Sequence, residues 1–161
     1  MSKEQKRPQI IPEQIHMLNV VVFKGSLEAD DTFMENPKPV DGFRMSTKLE
    51  LANSIEQGLT RVRLFILLEA ATSDEEVQGL TADYGIEFVF KVDNFSDFVQ
   101  GNPENGIQID AMIGGTLVGI AFSTARGILM ERLHGTYFGR VILPIVDPVE
   151  LLKESVEVEG A

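Results

Sequence analysis

The chain has no cysteine. Disulfides, thiolate metal centres and cysteine nucleophiles are therefore excluded. Histidine is nearly as scarce, with only His16 and His134. Neither stands at a metal-ligand spacing, and neither has the neighbours that a catalytic role needs. His134 ends an apolar helical run, where a cation suits the helix C-terminus. Positive charge is also in short supply: 14 Lys and Arg against 25 Asp and Glu give a net charge of −11. A chain this acidic repels phosphate backbones and anionic lipid, so nucleic acid and membrane are poor partners. Basic protein surfaces are better ones. There is no P-loop, no G-x-S-x-G and no H-E-x-x-H. Neither enzyme activity, nor a metal, nor a cofactor is expected.

What is present is globular. The 161 residues are 43% hydrophobic and 24% charged, which fits one domain able to bury a core without staples. The opening "MSKEQKRPQIIPEQ" is charged and lacks a long apolar stretch, so it is not read as a signal peptide, and a cytoplasmic protein is expected. Residues 1–13 are read as an extension. Residues 156–161 are read as a frayed acidic tail.

Four segments read as strands: residues 14–28, 43–55, 60–72 and 80–92. In the second, Phe43, Met45, Leu49 and Leu51 face one way, and Arg44, Ser46, Lys48 and Glu50 the other. The first is apolar on both faces between Leu18 and Phe23. Glu56–Gly58 and Ser73–Glu76 read as hairpin turns. The connection from Ala29 to Asp41 is longer and carries Phe33, Met34 and Val40. Such a loop over a sheet is a place for function, and with Phe43 these residues are read as a binding groove. "DNFSDFVQGNPENG" reads as a loop. A long helix over 107–135 and a short one over 148–155 follow, the latter with Asp147 as N-cap and Pro148 in its first turn. The class is α+β: a four-stranded antiparallel sheet with one long helix and a short C-terminal helix.

The long helix raises a question of its own. Residues 111–125 are uncharged, but a membrane span needs about 20 residues, and Arg126, Glu131 and Arg132 follow. Its glycines do not have the G-x-G-x-x-G spacing of a dinucleotide loop. Gly115, Gly119, Ser123 and Gly127 form a stripe of small side chains. Ile113, Leu117, Ile120, Phe122, Ile128 and Leu129 make the other sides apolar, so more than one side must be covered. A second subunit on the small stripe is the favoured reading, and a well-packed core helix within one chain is the other. The acids Glu28, Asp30, Asp31, Asp74, Glu75 and Glu76 read as solvated turn residues. Ser123 and Thr124 have no nearby base, so no nucleophile is read there.

Several stretches resemble the SecB family of export chaperones over residues 14–155. They are "SLEAD", "KLELANS", "RVRLFILLEA", "YGIEFVF" and, most specifically, "FSTARGILMERLHGTYFGRVILPIVDPVELL". The resemblance implies a sheet with one long and one short helix, assembled as a homo-oligomeric dimer of dimers with the long helices between subunits. It implies an ATP-independent holdase that binds unfolded client polypeptides in an apolar groove. Carried onto this chain, Phe33, Met34, Val40, Phe43 and Met45 form one side of the groove. Tyr137, Phe138, Val146, Leu151 and Leu152 lie on or near the other. It further implies docking of the translocase motor SecA through acids, here Glu28 and Asp83. The third expected acid is Lys24, and the proline-containing helix start of the family is absent. The chain thus resembles a divergent member, for which a dedicated antitoxin chaperone is the alternative to export. A small-ligand binder or a purely structural oligomer remains a reading from outside that class.

Overall fold

Alternation in three consecutive segments builds an antiparallel meander. β2 (Phe43–Ser54), β3 (Leu59–Ala71) and β4 (Val77–Val92) pair in order, with Leu49 opposite Leu64 and Leu64 opposite Ile86. The computed structural model describes residues 7–157, apart from 73, 75, 103 and 105. Along β3 the even-numbered side chains from Val62 to Ala70 are all buried. The odd-numbered ones, from Arg61 to Glu69, lie on the other face and stay half-exposed. β1 (Ile15–Ala29) joins this meander at β4, pairing Ile15 with Val92 and Ala29 with Leu80. The order across the sheet is therefore β1-β4-β3-β2.

β1 explains its own two-sided apolar run. Its register shifts between Met17 and Asn19 and again between Val22 and Lys24. Leu18 and Phe23 are the extra residues of two bulges, which twist the strand and re-aim side chains. Both remain substantially exposed.

α2 (Ala111–Leu133) covers the apolar face of the sheet. Asp110 caps it, accepting a hydrogen bond from the Met112 N–H at 2.8 Å. Ile113, Leu117, Ala121, Ala125, Leu129 and Leu133 recur every four residues and are all buried. α2 is long and apolar enough to cross a membrane, but this stripe packs into the core of the domain. The small-residue stripe lies on the opposite side of the helix. Half of it is already used within the chain. A Cβ on Gly115 would stand 3.4 Å from Val149, and one on Gly119 3.6 Å from Pro148. Both partners belong to α3 (Pro148–Lys153) and are held by the Asp147 cap, which accepts from the Val149 N–H. Ser123 and Gly127 remain exposed, with nothing within 4 Å of a Cβ on Gly127. The small stripe is thus first a seat for α3, because a short amphipathic helix following on the chain reaches it at little entropic cost.

Other expectations need correction. The segment read as a loop before α2 holds a 3₁₀ turn at Phe95–Phe98 and a hairpin, β5 (Val99–Asn102) with β6 (Gly106–Ile109). α2 consequently starts at Ala111, not at residue 107. Gly101 and Gly106 adopt φ +88° and +84°, the left-handed conformation that only glycine enters freely. The long connection after β1 contains α1 (Asp31–Glu35). Asp30 is its N-cap rather than a solvated turn residue, accepting from the Phe33 N–H at 2.8 Å. In the tail, Val156–Glu157 form β7, a parallel strand beside Glu50 and Leu51, because the outer edge of β2 offers unpaired backbone groups. Residues 158–161, residues 1–6 and the turn residues Ser73 and Glu75 lie outside the described residues.

One clasp holds α1 to the sheet. The Asp30 N–H donates to the Gly79 carbonyl at 2.8 Å, and the Asp30 carboxylate lies against the Gly79 Cα. Gly79 has φ +82°, and a Cβ there would collide with that carboxylate. Gly79→Ala is expected to lower the unfolding free energy by about 1–3 kcal/mol, through backbone strain and loss of the cap. Urea titration of the variant measures this, and an unchanged midpoint would show that the clasp carries no stability.

Candidate functional site

The turn after α2 delivers Tyr137 to α1 and Phe138 to the core. Gly135 adopts φ +80° and ends the helical path. Thr136 then ties the corner: its hydroxyl donates to the Leu133 carbonyl at 2.7 Å and accepts from the Phe138 N–H at 3.1 Å. Phe138 is fully buried, and Tyr137 meets Phe33 edge to face at 5.0 Å. Phe33 itself is 3% exposed, whereas Met34 beside it is 53% exposed and Tyr137 46%. Phe33 and Phe138 are therefore core residues of the corner, and Met34 and Tyr137 are its open apolar surface.

The start of β2 lies at the same end of the sheet. Phe43 pairs with Ala70, and β4 begins beside α1. Val40, Phe43 and Met45 are half-buried against the core, while Leu49 and Leu51 further along are closed. The backbone there is also open. The Gly42 carbonyl accepts from the Ala71 N–H at 3.0 Å, in register with the β2–β3 ladder. Even-numbered residues of β2 are thus bonded to β3, and Phe43, Met45 and Thr47 aim their N–H and C=O outward. Among the described residues, β7 alone pairs on that outer edge, at Glu50 and Leu51. An extended segment could add to the free stretch through main-chain hydrogen bonds, with its apolar side chains beside Phe43 and Met45.

The remaining groove residues lie elsewhere. Leu151 is buried. Leu152 packs over Gly114 and borders a cavity of about 680 Å³ with Leu51, Ile55, Phe95 and Ile113. Leu51 stands six residues along β2 from Met45, about 20 Å away. Val146 faces the far side of α2, in a groove of about 730 Å³ with Ile120, Ile145, Pro148 and Val149. The structure brings Phe33 and Tyr137 together, with Met34 next to Phe33 on α1 and Phe138 buried after the turn. Val40, Phe43 and Met45 lie at the start of β2 at the same end of the sheet, and Val146, Leu151 and Leu152 lie apart. Of the predicted docking acids, Glu28 is exposed on the open face of the sheet, and Asp83 on that face is paired with Lys24 at 2.6 Å. The open edge of β2 escaped sequence reasoning. Its alternation predicts a strand but not which edge stays unpaired.

A four-stranded antiparallel sheet covered by one long helix, with a short helix seated on that helix, is the SecB-like chaperone fold. The solved structure of the Rv1957 SecB-like chaperone of Mycobacterium tuberculosis, in complex with a ChAD peptide from the Rv1956 HigA1 antitoxin, matches it. That match has a TM-score of 0.57 and 10% identity, over 83% of this chain and 91% of that one. A Streptococcus agalactiae protein of unknown function aligns over 81% of this chain and 96% of its own, with 12% identity and a TM-score of 0.33. No family model and no curated protein matches the sequence.

The contrast between Phe33 and Tyr137 can be measured. Phe33→Ala is expected to cost about 3–5 kcal/mol of stability, as a deeply buried aromatic. Tyr137→Ala should cost about 0.5–1.5 kcal/mol, the edge-to-face contact alone. Equal losses in chemical denaturation would mean that Tyr137 is part of the core.

Proposed function

We propose that the protein is a cytoplasmic chaperone that holds extended segments of unfolded polypeptide, without ATP and without covalent chemistry. The observation that carries this reading is the half-open apolar corner of Met34, Val40, Phe43, Met45 and Tyr137 beside an unpaired stretch of β2. Exposed methionine and aromatic side chains adapt to varied apolar ligands. An open edge binds backbone, which every client has. Together they bind without reading sequence. The SecB-like fold supports the same reading.

A dedicated chaperone for one antitoxin is the second reading, favoured by the antitoxin peptide on the Rv1957 neighbour. Docking to SecA is less favoured, because Lys24 neutralises Asp83. The client-bearing unit is a homo-oligomer in this proposal. Its contact uses the open half of the α2 stripe, Ser123 and Gly127, with the exposed Ile145 bordering the same groove as Ser123.

Light-scattering mass on a sizing column, with and without a permanently unfolded model protein, tests both parts. A multi-subunit mass that grows with the client is expected, and a mass indifferent to the client rejects the chaperone reading. Met45→Asp should weaken client binding about tenfold or more, from loss of about 1.5–3 kcal/mol of apolar burial. Undiminished affinity would move the site away from this corner. Gly127→Glu should lower the native mass while leaving the fold intact, since it raises helix propensity by up to about 1 kcal/mol. An unchanged mass would place the subunit contact elsewhere.

A further inference from the structure

The face of the sheet away from α2 is uncovered, and its charge is unlike the rest of the molecule. Lys24, Arg44, Lys48, Arg61, Arg63 and Lys91 all lie on it, with Glu28, Glu50, Glu69, Asp83 and Glu87. With Asp93, which hydrogen-bonds His16 on the same face, six carboxylates stand against six Lys and Arg, so a chain of net charge −11 has here a face close to neutral. Ion pairs join most of these groups: Lys24–Asp83 at 2.6 Å, Arg63–Glu87 at 2.6 Å, Lys48–Glu50 at 3.0 Å and Arg44–Glu69 at 3.5 Å. In every one the cation is the outer member. Lys48 is 60% exposed and Glu50 19%, Lys24 50% and Asp83 33%, and the other two pairs follow the same order. Long cationic side chains reach over their shorter carboxylate partners, so an approaching molecule meets positive charge first.

The centre of the face is aromatic. Phe23, the second bulge residue, lies across Gly85 so closely that a side chain at 85 would collide with its ring. It meets Phe65 edge to face at 5.5 Å. The Arg63 guanidinium stands 5.3 Å from the Phe23 ring, and the Lys48 ammonium 5.3 Å from Phe65. Phe23 remains 44% exposed, with Val21 exposed beside it on β1.

We infer that this face docks an acidic protein segment carrying an aromatic or apolar residue. Carboxylates of the partner would meet the outer ends of Lys24, Arg63 and Lys48, and its apolar side chain would cover Phe23 and Phe65. Charge complementarity selects this partner: a basic segment meets the outer cations of the ion pairs first, and Asp83 is masked by Lys24. Nucleic acid fits less well, because its backbone extends past the patch into the field of an acidic chain. The inference is independent of the client corner, which lies on the other face of the sheet.

Nuclear magnetic resonance titration of the full chain with a synthetic dodecapeptide of Asp and Glu around two central phenylalanines tests it. Saturable binding is expected, with amide shifts at Lys24, Arg63 and Phe65 and weakening by salt. The exposed change Lys24→Glu should raise the dissociation constant severalfold, and Lys24→Glu with Arg63→Glu more than tenfold. Circular dichroism confirms folding, and Phe23→Ser, which leaves every ion pair intact, provides a second variant that should also weaken binding. The double variant should still bind an unfolded model protein as the wild type does. Absence of saturation, equal affinity for the lysine counterpart, tighter binding of an RNA oligonucleotide, or shifts confined to the Met45 corner would each overturn the inference. If the acidic peptide binds here while the unfolded protein binds nowhere, the chaperone reading fails and this one stands.

Discussion

A single helix has to hide one face of a four-stranded sheet. Four strands about 4.8 Å apart present a surface wider than the 10–12 Å of one helix. α2 therefore covers β3 and β4, where every inward side chain is closed. The flanks fall to smaller pieces: α1, the turn after α2, and the Phe138–Leu143 segment. Those pieces close the core incompletely at the start of β2. The open corner is thus a consequence of layer geometry. It lies where the covering material is loop and the apolar strand continues beneath it.

The same geometry separates the tasks of the two sheet faces. Inward side chains are apolar and are graded from half-open at Phe43 to closed at Leu51. Outward ones pair by charge, with Phe23 and Phe65 between them. Since successive residues of a strand point to opposite faces, one stretch of β2 serves both. Phe43 and Met45 look toward the corner, while Arg44 and Lys48 look away. A register slip of one residue would exchange the two surfaces, and the bulges at Leu18 and Phe23 help to prevent it in β1.

The elements with strong periodicity were legible in the sequence. Alternation from Phe43 to Leu51 determines a strand and its faces. The third segment reads as a strand although Leu64 to Leu68 is continuously apolar and hides its faces, and Asp147-Pro148 marks the start of α3. Less legible were the pieces whose structure depends on something distant. β5 and β6 are short and polar, and pair only with each other. β7 exists because β2 has a free edge, which no local pattern encodes. The glycine stripe was read as a seat for a second subunit, with packing inside one chain as the other reading; Gly115 and Gly119 seat α3, about thirty residues further along the same chain. Of the predicted groove, the corner residues near α1 come together because loop and turn lie at one sheet end. Val146 and Leu152 separate because α3 crosses to the opposite side of α2.

β1 comes first in the sheet's sequence order and pairs with the last strand of the meander. Its partner is β4, so Ile15 waits for Val92 and Ala29 for Leu80, while β2, β3 and β4 can zip from neighbour to neighbour. Contacts of that sequence separation form slowly. During synthesis the run from Leu18 to Phe23, apolar on both faces, stays without its strand partner until Ile86 to Phe90 have been made. Such a segment is rich in β-forming side chains and poor in charge, which exposes it to misassociation. Once β1 has paired, the two bulges make it an irregular sheet edge, which is a poor template for another strand. The N-terminal strand thus sets how long the nascent chain carries an apolar segment without its pairing partner.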